Sequence, residues 1–245
     1  MVAIRTDAVK VEAGDVRLDA HLAMPTKPGS YPGAVVIQEV FGVNDHIRDV
    51  TQRVAREGYI AIAPAIYQRQ APGFEAGYSD EALELGRQYK NQTRAPELLN
   101  DIQSAINYIK GLPQCQRGGI GCMGFCFGGH VAYLAATLPE VKATASFYGA
   151  GIVNTTPGGG DPTIARTPEI QGTIYAFFGT QDPLIPLEEV DRIEAELQKH
   201  QIPHRVVRYE GATHGFFCDQ RDSYDPNAAA DAWAQTKALF AQQLP

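Results

Sequence analysis

The chain has 245 residues, enough for one large α/β domain or two small ones. Its hydrophobic content of 44% and charged content of 20% are ordinary for a globular enzyme. A net charge of −7 argues against nucleic acid or an anionic membrane surface as the main partner. No apolar run approaches the roughly 20 residues of a membrane-spanning helix, and residues 1–7 lack the build of a signal peptide.

The cysteines and histidines show no pattern of a disulfide framework or a metal site. The four cysteines, Cys115, Cys122, Cys126 and Cys218, have no paired C-x-x-C spacing. The histidines and acidic residues do not show the spacing of metal ligands, so no metal is expected. Composition therefore predicts a cytoplasmic, soluble enzyme or binding domain with a small-molecule partner.

The first half of the chain predicts an antiparallel hairpin followed by alternating strands and helices. Residues 9–12 and 16–22 flank the turn sequence Ala13-Gly14-Asp15, which indicates the hairpin. Asn44 or Asp45 can cap a helix with Ile47 on its apolar face, and Gly58 follows its end. The other predicted elements of this half are strands at 34–38 and 59–63, an irregular loop at 64–79, and helices at 82–89 and 98–109.

The second half continues the alternation. Its predicted elements are strands at 120–123, 143–148, 173–178 and 205–209, helices at 129–137, 187–200 and 228–240, and a loop with little local structure at 149–172. This order predicts an α/β fold with a mostly parallel sheet, covered on both faces by helices, and the hairpin at one edge. No linker divides the chain, so one domain over residues 1–245 is expected. In such sheets function gathers at the carboxyl ends of the strands.

A nucleophile candidate lies at one of these strand ends, in Gly124-Phe125-Cys126-Phe127-Gly128. A tight turn between strand and helix strains its central residue, and the glycines let the two backbones approach closely. The positive end of the helix dipole then favours a thiolate at Cys126. The pattern is G-x-S-x-G, the nucleophile elbow, with cysteine in place of serine. Taken alone, a cysteine between two phenylalanines is equally typical of a small buried hydrophobic residue.

Asp182 and His214 also follow predicted strands closely. The chain order of nucleophile, acid and histidine is the order of the Ser-His-Asp hydrolases that carry this elbow. In such a triad, His214 takes the thiol proton of Cys126, while Asp182 orients the imidazole. Considered alone, an aspartate before a proline, such as Asp182, is typical of a turn. A histidine near glycines, such as His214, is typical of a loop. Their order and their positions together favour the triad.

A second motif, Gly119-Ile120-Gly121-Cys122-Met123-Gly124, matches the dinucleotide fingerprint G-x-G-x-x-G literally. That fingerprint follows a strand, whereas here the predicted strand lies inside the match. A nicotinamide oxidoreductase is therefore not favoured, and no cofactor is expected.

With these residues in place, the chain resembles the dienelactone hydrolase family, the carboxymethylenebutenolidase-like branch of the α/β-hydrolases. The most specific segments are Gln38-Glu39-Val40-Phe41-Gly42-Val43-Asn44, Gly124-Phe125-Cys126-Phe127-Gly128-Gly129, Phe147-Tyr148-Gly149, Asp182 and His214-Gly215-Phe216. The resemblance covers nearly the whole chain. It implies the α/β-hydrolase fold and cleavage of a small ester or lactone through an acyl-cysteine intermediate.

The resemblance also implies roles for residues near the nucleophile. Glu39 matches the family glutamate that holds the resting, neutral thiol until substrate displaces it. From the residues alone, a carboxylate at the end of a buried strand needs a partner. The backbone N–H groups of Val40 and Phe127 match the family's oxyanion hole, and the residue after a nucleophile commonly supplies one such donor.

The substrate-gripping arginines are the point at which the chain departs from the family. Family members that act on dienelactone hold its carboxylate with arginines, one of them shortly after the catalytic histidine. Four residues past His214 this chain has Cys218, and the nearest arginine is Arg221. Arg87 and Arg94 are further candidates, and Tyr148 is a candidate pocket residue. The substrate therefore stays open between dienelactone, another carboxylated lactone and a plain ester.

A second class of function also stays open. A redox-responsive or ligand-binding protein on the same scaffold would use Cys126 as an oxidisable thiol, with Cys218 as a neighbouring cysteine. The oligomeric state is not determined by the sequence, and a monomer is compatible with it.

Overall fold

A computed structural model of the protein describes residues 2–244, which contain an eight-stranded sheet in the order β1-β2-β4-β3-β5-β6-β7-β8. Its strands are β1 (Ile4–Ala13), β2 (Val16–Pro25), β3 (Tyr31–Ile37), β4 (Ile60–Pro64), β5 (Cys115–Phe125), β6 (Val141–Phe147), β7 (Thr173–Gly179) and β8 (His204–Tyr209). The β1–β2 hairpin is antiparallel and joins β4 in antiparallel fashion, whereas β4 to β8 are parallel. The predicted mostly parallel sheet with an N-terminal antiparallel hairpin is confirmed.

Helices cover both faces of this sheet, as predicted. They are α1 (Asp45–Arg56), α2 (Asp80–Asn91), α3 (Ala95–Lys110), α4 (Phe127–Ala135), α5 (Leu187–Lys199) and α6 (Pro226–Gln243). Alternate residues of β3 point to opposite faces. Val36 belongs to the core that includes α1 and α6, whereas Val35 belongs to the core that includes α3 and most of the buried side of α4. Within residues 2–244, no helix combines the length and apolar character needed to cross a membrane.

The connection between β6 and β7 is more ordered than its sequence indicates. A 3-10 helix, Thr163–Glu169, lies inside the segment predicted as an irregular loop. Two side chains of α4 hold it, because His130 Nε2 lies 2.6 Å from Thr163 Oγ1 and the Tyr133 hydroxyl lies 2.6 Å from Thr167 Oγ1. Contacts between distant parts of the chain stabilise this helix, and a local sequence pattern does not show them.

Helix α2 packs at the carboxyl end of β3 rather than against a face of the sheet. Gly86 is its buried residue. A methyl group at Gly86 would collide with the Val40 carbonyl oxygen, and the Tyr67 hydroxyl donates to the Gly86 carbonyl at 3.3 Å. The absence of a side chain at Gly86 therefore lets α2 lie directly on the loop after β3.

Candidate active site

Cys126 forms a strained turn between β5 and α4. Its φ of 56° is in the left-handed region of backbone conformation, which residues other than glycine rarely adopt. A Cβ atom on Gly124 would meet the Gly128 carbonyl, and a Cβ atom on Gly128 would meet the Gln38 carbonyl. Strand, turn and helix thus touch through their backbones. The predicted strained conformation is observed, and it leaves the Cys126 side chain partly exposed at the start of α4.

His214 and Asp182 form a buried pair beside this turn. Nδ1 of His214 lies 2.8 Å from Oδ2 of Asp182, and the two residues are 8% and 6% exposed. The other carboxylate oxygen, Oδ1, accepts a hydrogen bond of 2.8 Å from the backbone N–H of Leu184. Because Nδ1 of His214 donates to the carboxylate, Nε2 is the nitrogen able to accept a proton.

Nε2 of His214 has no hydrogen-bond partner among the described residues. Burial by itself lowers the pKa of His214, but a negative charge on Cys126 and the Asp182 carboxylate outweigh it and raise the pKa. The protonated imidazole of His214 is therefore stabilised by a negative charge on Cys126. This is the electrostatic coupling that a thiol nucleophile and its base require.

Glu39 is fully buried just after β3, and its carboxylate has two partners. The Tyr78 hydroxyl donates to Oε2 at 3.0 Å, and Nη1 of Arg221 lies 3.3 Å from Oε1. The guanidinium of Arg221 also lies over the Tyr78 ring, 5.3 Å from its centroid. Glu39 thus has the partner that its burial demands. Within residues 2–244 no hydrogen bond joins Glu39 to the Cys126 thiol, so the lock on the resting thiol stays a prediction.

Cys218 extends this polar cluster. Its Sγ donates to the Tyr78 hydroxyl oxygen at 3.2 Å. Burial and the charge of Glu39 raise the pKa of Cys218 to about 11, so the thiol is protonated at neutral pH. Burial also raises the pKa of Tyr78. The hydrogen bonds therefore run in one direction: Cys218 donates to Tyr78, and Tyr78 donates to Glu39.

Tyr148 packs against the base rather than forming a wall of the cavity. It is fully buried, its φ is 37°, and its ring centroid lies 5.1 Å from that of His214 in an edge-to-face arrangement. In the described part of the chain its hydroxyl has no hydrogen-bond partner. A buried tyrosine in this conformation limits the movement of the His214 ring.

A cavity of about 660 Å³ lies over Cys126 and His214. Val40 and Phe127, the predicted oxyanion-hole residues, both line it. Phe127 is the first residue of α4, so its backbone N–H has no acceptor within the helix. The cavity thus brings together a thiol, an imidazole and the predicted backbone donors, a set of groups able to perform acyl transfer.

Two of the three arginines predicted to bind substrate line the cavity, and the third does not. Arg87 and Arg221 line the cavity, whereas Arg94 is exposed at the start of α3 and packs beside Gly158 outside the lining residues. Lys90 also lines the cavity and was not predicted. It follows Arg87 by three residues on one face of α2, a spacing that the sequence does carry. Tyr78 lies in the irregular segment before α2, where no pattern identifies it.

The described residues show neither a metal-binding cluster nor a disulfide bond. Residues 2–244 contain no cluster of three or more histidine, cysteine, aspartate or glutamate side chains able to hold a metal ion. All four cysteines are free thiols.

Comparisons with known proteins agree with this geometry. The sequence model described as the dienelactone hydrolase family matches residues 18–244. A putative carboxymethylenebutenolidase of Synechocystis sp. is 54% identical over 99% of both chains. Another from Methylorubrum extorquens is 29% identical over 98% of this chain and 84% of its own.

Solved structures give the same result. The crystal structure of a putative dienelactone hydrolase from Klebsiella pneumoniae covers 98% of this chain and 99% of its own, with 28% identity and a TM-score of 0.89. Acylaminoacyl peptidase of Pyrococcus horikoshii, at 15% identity and a TM-score of 0.75, shares the fold over 98% of this chain and 42% of its own. The chain therefore belongs to the dienelactone hydrolase family, has the α/β-hydrolase fold and is a hydrolase.

Proposed function

We propose that this protein hydrolyses small esters or lactones through an acyl-cysteine intermediate. Cys126 is the nucleophile, His214 the general base and Asp182 the residue that orients His214. The observation that carries the proposal is the pairing of His214 Nδ1 with Asp182 at 2.8 Å, which leaves Nε2 without a partner beside the strained Cys126 turn.

Each step then has a group to perform it. Nε2 of His214 accepts the Cys126 proton, and the thiolate attacks the substrate carbonyl carbon. The backbone N–H groups of Val40 and Phe127 donate to the oxyanion that forms. The His214 imidazolium returns its proton to the leaving oxygen, and a thioester on Cys126 remains. Water, deprotonated by His214, then hydrolyses the thioester and regenerates the thiol.

Glu39 is included in the proposal as a control on the thiol. The family resemblance implies that a glutamate here holds the resting nucleophile. Its burial and its contacts with Arg221 and Tyr78 support a carboxylate held in a fixed position at the cavity. A negative charge there disfavours a second one on the sulfur.

The cavity supports a substrate with an anionic group. Three cations, Arg87, Lys90 and Arg221, line it. Its volume of about 660 Å³ is typical of small-molecule sites. Relatives are described as carboxymethylenebutenolidases, whose name denotes a carboxylated lactone. We infer that a carboxylated lactone or ester is accepted, with Arg87 and Lys90 as the cations free of the Glu39 pair.

The thiol-sensor interpretation receives less support. A resolving cysteine has to reach the oxidised sulfur and reacts as its thiolate. Cys218 is fully buried, its pKa is raised, and it donates to Tyr78. The four free thiols agree with a reducing compartment, and we propose the cytoplasm.

The test is steady-state hydrolysis of dienelactone and of neutral p-nitrophenyl esters, with reductant present. Cys126→Ala is expected to lower kcat/KM at least about 10³-fold, because the covalent route is lost. Cys115→Ala, which removes a partly buried thiol at the far end of β5, serves as the matched control and should retain activity. Full turnover by Cys126→Ala would contradict the mechanism. No turnover by the unmodified protein, together with a peroxide-driven Cys126–Cys218 disulfide, would favour the sensor.

A further inference from the structure

Leu184 is an exposed apolar side chain in the wall of the catalytic cavity. Its side chain is 45% exposed, while the next residue, Ile185, is buried. A single exposed leucine on an open surface needs no explanation. Leu184, however, lines the same cavity as Cys126 and His214, where an apolar surface is available to a bound molecule.

The position of Leu184 is fixed relative to the base. Its backbone N–H donates to Oδ1 of Asp182 at 2.8 Å, and Oδ2 of the same carboxylate holds His214. One carboxylate therefore links the leucine backbone and the imidazole. This bond fixes the Leu184 backbone, so the side chain starts from a defined position, which lowers the entropic cost of binding a ligand group.

The chemistry of the proposed reaction determines which part of an ester lies near Leu184. His214 gives its proton to the leaving oxygen, so the alcohol portion has to lie on the His214 side of the reacting carbonyl. The carbonyl oxygen lies towards the N–H groups of Val40 and Phe127. Leu184 belongs to the turn that carries Asp182, on the His214 side.

We propose that Leu184 forms an apolar subsite for the alcohol portion of the substrate. The inference rests on the proposed function and adds a specificity that the triad does not provide: a preference for esters of longer alkyl alcohols over methyl esters. A fully buried methylene contributes up to about fourfold in affinity, and a half-exposed contact about half of that free energy, or about twofold. With three of the five methylene groups added from methyl to hexyl acetate in contact with Leu184, the gain in kcat/KM is about tenfold.

The experiment compares methyl, butyl and hexyl acetates by release of acetic acid. These alcohols have similar acidities, and all three esters give the same acetyl-enzyme, so differences in kcat/KM report the alcohol portion before its release. We expect kcat/KM of the unmodified protein to rise about tenfold along the series. Leu184→Ser should reduce the rise, measured as the ratio of kcat/KM for hexyl and methyl acetate, to about twofold, and Leu184→Met should restore it.

Leu187→Ser is the matched control. Leu187 is 40% exposed on the same segment but does not line the cavity, so its variant should keep the full tenfold rise. An unchanged rise in Leu184→Ser would overturn the subsite while the hydrolase assignment stands. An effect of Leu184→Ser confined to p-nitrophenyl esters of increasing acyl length would also overturn it. Absence of turnover with every ester would instead overturn the proposed function itself.

Discussion

On either side of β5, the ends of β3 and β7 each present a buried carboxylate with a different partner. After β3, Glu39 contacts the guanidinium of Arg221 and the Tyr78 hydroxyl. After β7, Asp182 contacts the imidazole of His214 and a backbone N–H. Both carboxylates are withdrawn from solvent, so the partner and not the exposure distinguishes them.

The difference shows how one functional group serves two purposes. An arginine stays charged throughout the physiological pH range, so Glu39 and Arg221 form a fixed pair of charges. An imidazole both accepts and releases a proton, so Asp182 supports a group able to move protons. We infer that the β7 side performs proton transfer and that the β3 side provides a static field and the Val40 donor.

The largest expected effect comes from disrupting the Asp182–His214 pair that follows β7. Asp182→Asn should lower kcat/KM for an ester about 10³-fold or more, because the amide no longer selects the correct tautomer of His214 or stabilises its imidazolium. Steady-state kinetics at pH 7 measure it. Asp161→Asn changes an exposed acid in the β6–β7 connection and should leave the rate unaltered. A loss of less than tenfold in Asp182→Asn would remove the proton-transfer role from this side.

A smaller effect is expected from displacing the backbone on the β3 side. In Gly86→Ala the new methyl group meets the Val40 carbonyl, so the Val40 peptide has to shift. Loss of one oxyanion donor costs about 10²- to 10³-fold in kcat, and a displaced donor about ten- to 100-fold. Gly77→Ala, in the same region but with open space around it, is the matched control. A change confined to KM would mean that α2 moves and Val40 does not.

The smallest effect tests the fixed charge itself. Glu39→Ala removes a negative charge beside Cys126 and frees the positive charge of Arg221, so a thiolate becomes more favourable. Alkylation of Cys126 by iodoacetamide at pH 7 should be about three- to tenfold faster than in the unmodified protein. Glu210→Ala, which removes an exposed acid, controls for net charge. An unchanged alkylation rate would exclude Glu39 from control of the thiol.

The parts of the molecule that follow periodic patterns were predictable from sequence. The alternation of strands and helices gives the sheet, and the convergence of parallel strand ends brings Cys126, Asp182 and His214 to one edge. Those three residues can be identified from the sequence because each follows a predicted strand directly or within a few residues. The structure places them around one cavity, and their catalytic roles remain proposals.

The parts that depend on distant contacts were not predictable. Tyr78 precedes α2 in a segment without periodicity, and its partner Glu39 is 39 residues away. Glycine is unfavourable within a helix, and the sequence gives no reason for Gly86. The reason is the Val40 carbonyl, which packs against it and leaves no room for a side chain. Arg221 was identified as a candidate, but its ion pair with Glu39 requires the fold. Tertiary contacts, and not local propensity, determine these positions.

The uneven chemistry of the four thiols makes the protein convenient for labelling. Burial raises the pKa of Cys115, raises that of Cys122 to about 12 and, with Glu39, raises that of Cys218 to about 11. Cys126 is the partly exposed thiol in the catalytic cavity, beside the N-terminus of α4. We therefore expect a brief exposure to an electrophilic dye at neutral pH to label Cys126 first, without removal of the other cysteines. The proposed nucleophile is thus also an attachment point for counting intact sites in a preparation.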